Sequence, residues 1–360
     1  MLNRSFWQDK KVFVTGHTGF KGGWITLWLS SMGAKVKGFA LDAPTIPSFF
    51  EVVDVADLCF EHQIGDIRDY QLLYDSMKSF QPDVVIHMAA QPLVRYSYEN
   101  PIETYQSNVM GTAHVLDAIR RIDSVRSVIC VTSDKCYDNR EWIWGYRESD
   151  PMGGYDPYSN SKGCSELIVS AYRNSYFNAE KYQQHGVAVA SVRAGNVIGG
   201  GDWALDRLIP DTLRAFEMGQ NVEIRSPYAI RPWQHVLEPL SGYLMLAEQL
   251  YLIGPEFNGG WNFGPNSSDA KPVQYIVENL ADLWGQGASW LVEKGEHLHE
   301  AHYLKLDCSK ATQILGWHPR WCLERTLKSI VKWHQAWMSG NDMKDYSLNE
   351  IKAYTKIKDY

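Results

Sequence analysis

The sequence predicts an α/β fold: a doubly wound parallel sheet followed by a smaller mixed α/β C-terminal lobe. Three observations predict it. Short runs of β-formers alternate with helical patterns from the N-terminus to Arg193. Two of those runs, Asp83–Ala90 and Ser127–Ser133, are continuously apolar or nearly so, as strands of a parallel sheet covered on both faces are. Residues able to meet a ligand recur where each run ends, at Gly16, Asp42, Asp66, Ala89 and Ser133. Ligands of such sheets sit beyond the carboxyl ends of the strands.

The first run, Val12–Val14, leads into Gly16, Gly19 and Gly22 and then into an apolar helical pattern from Trp24. Strand, tight turn and helix in that order make the glycines a dinucleotide-binding signal. Glycine allows the turn, lets a pyrophosphate approach the backbone and lets the helix start pack on the strand. The unpaired N–H groups of that helix then face the phosphates. The second strand, Lys35–Leu41, ends at Asp42, where a carboxylate holds the ribose hydroxyls of NAD and repels the extra phosphate of NADP. Gly65–Asp69 precedes a helix over Tyr70–Phe80. Asp66, with Ile67 beside it, is placed for the adenine, and Asp69 for the helix cap. After the Asp83–Ala90 strand, a helix is expected from Pro101 to Arg121, with proline near its start.

Past Arg193 the texture changes to Gly, Pro, Trp and Asn with shorter elements; Gly199–Asp202 and Asn258–Gly260 mark loops. Leu240–Leu252 is expected as a helix returning to the sheet, and Thr326–Met338 as an amphipathic helix. The expected division is therefore a cofactor domain of residues 1–193 plus about 236–257, a substrate domain of 194–235 plus about 258–340, and a charged tail over 341–360.

Composition narrows the function classes. Hydrophobic residues make up 45% and charged residues 21%, values of a soluble globular protein. The 35 basic and 42 acidic residues leave a net charge of −7 with no basic block, which argues against nucleic acid as a partner. Six scattered cysteines without a C-x-x-C pair support neither a metal site nor a disulfide framework. No signal-like or membrane-length apolar run is present, so a reduced, cytoplasmic enzyme is expected.

The chemistry is carried by Tyr158 and Lys162 at the start of a predicted helix, one turn apart and on one face. A lysine there favours the phenolate and lowers the tyrosine pKa from about 10, making Tyr158 a general base for a substrate hydroxyl. Alone, Y-x-x-x-K is usually a surface pair. Here a third group stands at an upstream strand end, in Thr132-Ser133-Asp134-Lys135.

Thr15-Gly-His-Thr-Gly-Phe-Lys-Gly22, Ala89-Ala90, Thr132-Ser133 and Tyr158-x-x-x-Lys162 together resemble the extended short-chain dehydrogenase/reductase family over nearly the whole chain. An acidic residue after the serine marks its nucleotide-sugar 4,6-dehydratases, and Ser133–Tyr137 is most similar to those acting on CDP-glucose. The resemblance implies a Rossmann-type NAD site at Gly16, His17, Gly19, Phe20, Lys21, Gly22, Asp42, Asp66, Ile67, Ala89, Ala90, Asn108, Thr132, Tyr158 and Lys162. It implies Ser133, Asp134, Lys135, Tyr158 and Lys162 as catalytic groups, with Asp134 the acid if burial raises its pKa. Lys135 stands where sister enzymes carry a glutamate as the C5 base; an ion pair with Asp134 is its alternative. Gln91, Asn196, Arg207, Arg231 and Glu300 are implied for the substrate, the arginines for its diphosphate. A homodimer paired through the helices around Asn108 and Tyr158 is also implied. His17 and Lys21 stand where relatives carry small or apolar residues: Lys21 adds charge beside the phosphates, while the bulk of His17 crowds the turn, and NAD is expected to be held less firmly than in relatives. A nucleotide-sugar 4-epimerase, a dehydratase of dTDP- or GDP-sugars and a non-catalytic NAD sensor are the alternative readings.

Overall fold

In the computed structural model, which describes residues 2–293 and 304–357, twelve strands run in the order β1 (Lys11–Thr15), β2 (Lys35–Ala40), β3 (Glu61–Ile64), β4 (Val84–His87), β5 (Ser127–Val131), β6 (Ala188–Ala194), β7 (Asn196–Ile198), β8 (Val222–Ile224), β9 (Ile230–His235), β10 (Gly259–Phe263), β11 (Ala270–Pro272) and β12 (Trp290–Val292). Seven of them form one sheet in the order β10-β6-β5-β4-β1-β2-β3, every neighbouring pair parallel. The strand order reverses between β1 and β4, and that switch opens the ligand crevice above their carboxyl ends.

Alternation along β1 shows why the sheet is covered twice. Val12 and Val14 enter one core with Trp24, Trp28 and Leu240, while Phe13 enters the other with Phe39, Leu73 and Phe80. A three-stranded sheet (β11-β9-β7) and a two-stranded one (β12-β8) build the smaller lobe around Ile209, Phe216, Ile276, Trp284 and Ile330.

Three expectations are corrected. The chain returns to the large sheet for longer than residues 236–257, because β10 pairs with β6 from Gly259↔Ala190 to Phe263↔Ala194. The helix expected from Pro101 is present through Ile119, but it is not regular: Pro101–Tyr105 and Gly111–Ile119 flank a π-helical turn, Gln106–Met110. The carbonyl of Asn108 accepts from Thr112 Oγ1 at 2.6 Å and Ser165 Oγ at 2.8 Å, which draws it from the helical ladder. The stretch expected as a tail holds, among its described residues, a helix, Met343–Thr355, capped by Asp342. Its Tyr354 is fully buried and donates to Glu238 Oε2 at 2.7 Å, in a pocket shared with Trp28 and Trp321. Its sequence looked charged because only one face, with Met343, Ser347, Glu350, Ile351 and Tyr354, is buried.

Candidate active site

The glycine loop has the shape of a phosphate cradle. Gly16 has φ +79°, and a Cβ there would lie 2.7 Å from Ala89 N, so only glycine fits between β1 and β4. A Cβ on Gly22 would fall 2.0 Å from Gly16 O, closing the turn against the helix start. At Gly19, the N-cap, no side chain caps the Phe20–Ser31 helix, whose first N–H groups are left to a ligand. Thr15 Oγ1 accepts from Met88 N and Ala89 N at 3.1 and 3.2 Å, fixing the β4 end beside the cradle. Asp42 is exposed at the β2 end, and Thr18 Oγ1 ties the loop to Leu41 O at 2.8 Å. This arrangement fits the diphosphate and ribose of a dinucleotide.

His17 does not crowd the turn. Its side chain is wholly buried, hydrogen-bonded to His62 Nδ1 at 2.7 Å and edge-on to Phe50. Room for it comes from Gly38 on β2, where a Cβ would meet the imidazole at 2.3 Å. Lys21 stands in the first turn of the helix that the loop opens. It shares its surroundings with Lys162, Arg207 and Asp134, and burial, reinforced by those two cations, lowers it to about 7. It links the cradle to the catalytic groups. Asp66 has both carboxylate oxygens engaged by Arg68, whose backbone donates at 2.8 Å and whose Nε donates at 2.7 Å. Asp69 caps the Tyr70–Phe80 helix as expected, accepting from Leu72 N.

The groups expected to be catalytic converge where β5 ends. Ser133 caps the short Asp134–Cys136 turn, accepting from Lys135 N at 3.2 Å and donating to Asp134 Oδ1 at 3.0 Å. Asp134 is 3% exposed, and burial raises its pKa against the opposing pull of Lys135, the Ser133 hydrogen bond and Arg231. That is the condition set for an acid. Tyr158 and Lys162 sit on the buried face of the Pro157–Ser175 helix, with proline at its first turn and Asp156 as its cap.

The tyrosine departs from expectation. Burial pushes its phenol up to about 12; a hydrogen bond with Ser133 and the Arg207 guanidinium pull it down, while Asp134 adds to the rise. Lys162 stands over the ring, 6.0 Å from its centroid, and burial lowers its own pKa to about 8. Arg207, which pairs with Asp202 at 2.9 Å, adds its positive charge to the surroundings of the phenol. No spacing rule connects residues 158 and 207, so sequence reasoning placed Arg207 only with the diphosphate. Arg231, on β9, adds positive charge beside Asp134, and Asn196 begins β7 next to β9. The amide of Gln91 donates locally, to Leu93 O and Thr104 Oγ1. Asn108 binds Gln91 backbone and Ser161 Oγ, locking the π turn to the catalytic helix. Glu300 lies outside the described residues. Among the described residues no cluster of metal-binding side chains occurs and no helix is long and apolar enough to cross a membrane; all six cysteines are free.

Two buried histidines give the site a pH signature. Burial, aided by His62, lowers His17 to about 3, and burial, aided by Lys162, lowers His87 to about 3; His87 lies between Thr15 Oγ1 and Thr112 Oγ1. Below the ordinary histidine value the unfolded chain binds protons that the folded one refuses. Each histidine therefore removes stability as pH falls from about 6.5 toward 3, by up to about 1.4 kcal/mol per unit. Urea unfolding from pH 7 to 4 checks this: a His87→Gln variant loses stability less steeply than the wild type.

A phosphate cradle, a serine and a Tyr–Lys helix facing one crevice define a nucleotide-dependent dehydrogenase-type site. The family model described as GDP-mannose 4,6 dehydratase matches residues 13–252, and the chain belongs to that family. It is 64% identical over 354 residues to a CDP-glucose 4,6-dehydratase of Salmonella typhimurium, covering 98% of each chain. A dTDP-glucose 4,6-dehydratase of Xanthomonas campestris is 26% identical, with 94% of this chain and 98% of the relative covered. The fold is shared with MoeE5 in complex with UDP-glucose and NAD (TM-score 0.76, 23% identity, covering 91% of this chain and 99% of the other). It is also shared with a Bacillus anthracis dTDP-glucose 4,6-dehydratase in complex with NAD (TM-score 0.73, 21% identity, covering 91% and 96%).

Proposed function

We propose that this protein dehydrates CDP-D-glucose to CDP-4-keto-6-deoxy-D-glucose with NAD as a recycled cofactor. The observation that carries the reading is Asp134: a buried carboxyl with a raised pKa, hydrogen-bonded to Ser133 beside Tyr158. A dehydrogenase needs only the tyrosine; an acid alongside it is what water elimination adds. The Salmonella relative's name supplies the nucleotide.

Bound NAD supplies a hydride acceptor for C4 of the hexose and a hydride donor for C6. The glycine loop, Asp42 and the β4 end would hold it, the larger lobe serving the cofactor and the smaller one the sugar nucleotide. Tyr158 takes the C4 hydroxyl proton, helped by Ser133 and the Arg207 cation. The resulting ketone acidifies the C5 hydrogen, which Lys135 removes. Asp134 protonates the C6 hydroxyl, and water leaves. Arg231 steadies the anionic substrate from β9, with Asn196 beside it.

A homodimer paired through the helices around Asn108 and Tyr158 fits the exposed Ile102, Met110 and Leu167 on those helices. Work in the cytoplasm, supplying deoxysugars for lipopolysaccharide O-antigen, completes the proposal.

Incubating the protein with NAD and CDP-, dTDP-, UDP- or GDP-glucose tests it. Loss of one water from CDP-glucose, without build-up of reduced cofactor, is expected; inertness toward all four overturns the reading. Lys135→Met is expected to leave C4 oxidation intact and to slow water loss by roughly 10²-fold or more. Unchanged turnover would remove Lys135 from the mechanism.

A further inference from the structure

Beneath the catalytic turn lies an ion pair that the mechanism does not use. Glu166 and Arg193 are each 5% exposed and meet two-pronged: Arg193 Nε donates to Glu166 Oε1 at 2.9 Å and Nη2 to Oε2 at 2.8 Å. The carboxylate accepts two more bonds, from Thr132 Oγ1 on Oε1 at 2.5 Å and from Ser191 Oγ on Oε2 at 2.6 Å. The remaining guanidinium nitrogen, Nη1, donates to Tyr137 Oη at 2.6 Å and to the Glu148 carbonyl at 3.2 Å. Tyr137 Oη in turn donates to Asn262 Oδ1 on β10 at 2.7 Å.

The partners are arranged around the reaction's own segment. Thr132 immediately precedes Ser133, and Tyr137 closes the turn that begins at Asp134. One partner of the ion pair therefore holds the residue before the catalytic turn, and the other holds the residue after it. Glu166 also lies one helical turn beyond Lys162 on the same buried face, and its charge opposes the lowering of Lys162 by burial. The three elements that carry catalytic groups or flank them, β5, β6 and the Pro157–Ser175 helix, meet at one carboxylate.

We propose that Glu166, through Arg193, is a positioning residue that brackets Ser133, Asp134 and Lys135 and holds them in register with Tyr158 and Lys162. Stability alone is a weak reason for such a pair, since desolvating two charges offsets most of their attraction and an apolar pair of similar size does as well. Specifying a geometry is the role that the bond pattern supports. The proposal deepens the dehydratase reading and rests on it for its kinetic test.

Thr132→Val and Tyr137→Phe each remove one tie with little change in shape, and Glu166→Gln removes the charge at the hub. For the two outer variants kcat for CDP-glucose is expected to fall about tenfold, and for Glu166→Gln about 10²-fold, with KM within about threefold. Adding Thr132→Val to Glu166→Ala is expected to cost nothing further, because alanine has already removed the acceptor of that tie. Hydrogen exchange of the segment 132–137, which needs no substrate, is expected to quicken at least tenfold in both outer variants, while exchange in β1 and β4 is unchanged. A merely structural pair would lower the unfolding temperature and the active fraction together, leaving kcat per folded molecule and local exchange unmoved; that result overturns the proposal. Wild-type protein inert toward CDP-glucose would instead sink the dehydratase reading, and the exchange measurement then decides the positioning claim by itself.

Discussion

Tyr158→Phe lowers turnover of CDP-glucose by roughly 10³–10⁴-fold, the upper range for loss of a positioned general base. The phenol is hydrogen-bonded to Ser133 and feels the positive charge of Arg207. Phenylalanine keeps the ring on which Lys162 rests and the packing of the helix, so the fold and the affinity for the nucleotide are expected to survive. The pH dependence follows from the burial that holds the phenol near 12. The deprotonated form becomes more populated as pH rises, so activity limited by this base increases with pH across the neutral range. Removing Arg207, which lowers the phenol pKa, shifts that rise toward higher pH. The check is a pH–rate profile of wild type and Arg207→Met, with Tyr158→Phe as the floor.

Asp134→Asn has the second largest effect and a different signature. Asparagine preserves the size of the side chain and a hydrogen bond with Ser133, but it cannot deliver a proton. C4 oxidation then proceeds while water loss falls by about 10²–10⁴-fold. Rapid mixing with CDP-glucose and NAD is expected to show a lasting rise in reduced-nicotinamide absorbance that the wild type shows only transiently. The carboxyl is 3% exposed and its pKa is raised chiefly by burial, so it holds its proton into a pH range where an exposed aspartate has lost it. A variant that loses oxidation and elimination equally would place Asp134 in positioning the sugar instead.

The framework was legible because local pattern and global fold agree. A continuously apolar run such as Val84–His87 has one stable place, the middle of a parallel sheet, and glycine is required at 16 and 22 because a Cβ there would come within 2.7 Å of Ala89 N and 2.0 Å of Gly16 O. What stayed hidden depends on contacts between distant residues. The room for His17 comes from Gly38 on the next strand, and Arg207, one of the charges that influence Tyr158, comes from a loop almost fifty residues later. The Met343–Thr355 helix resembled a solvated tail because its composition is polar, although its buried stripe closes the core through Tyr354. Glu166 had a signal that was available, its place one turn after Lys162. Its partner Arg193 is identified only by the pairing of β5 with β6.

The central claim is that Tyr158, Ser133, Asp134 and Lys135 work at one crevice, so that the hydrogen removed from C4 is returned to C6 of the same sugar. CDP-glucose deuterated at C4 tests this most directly. Product with one water lost and the deuterium in the C6 methyl group, at full enrichment in ordinary water, is expected. Deuterium retained at C4, or replaced at C6 by solvent hydrogen, would contradict it.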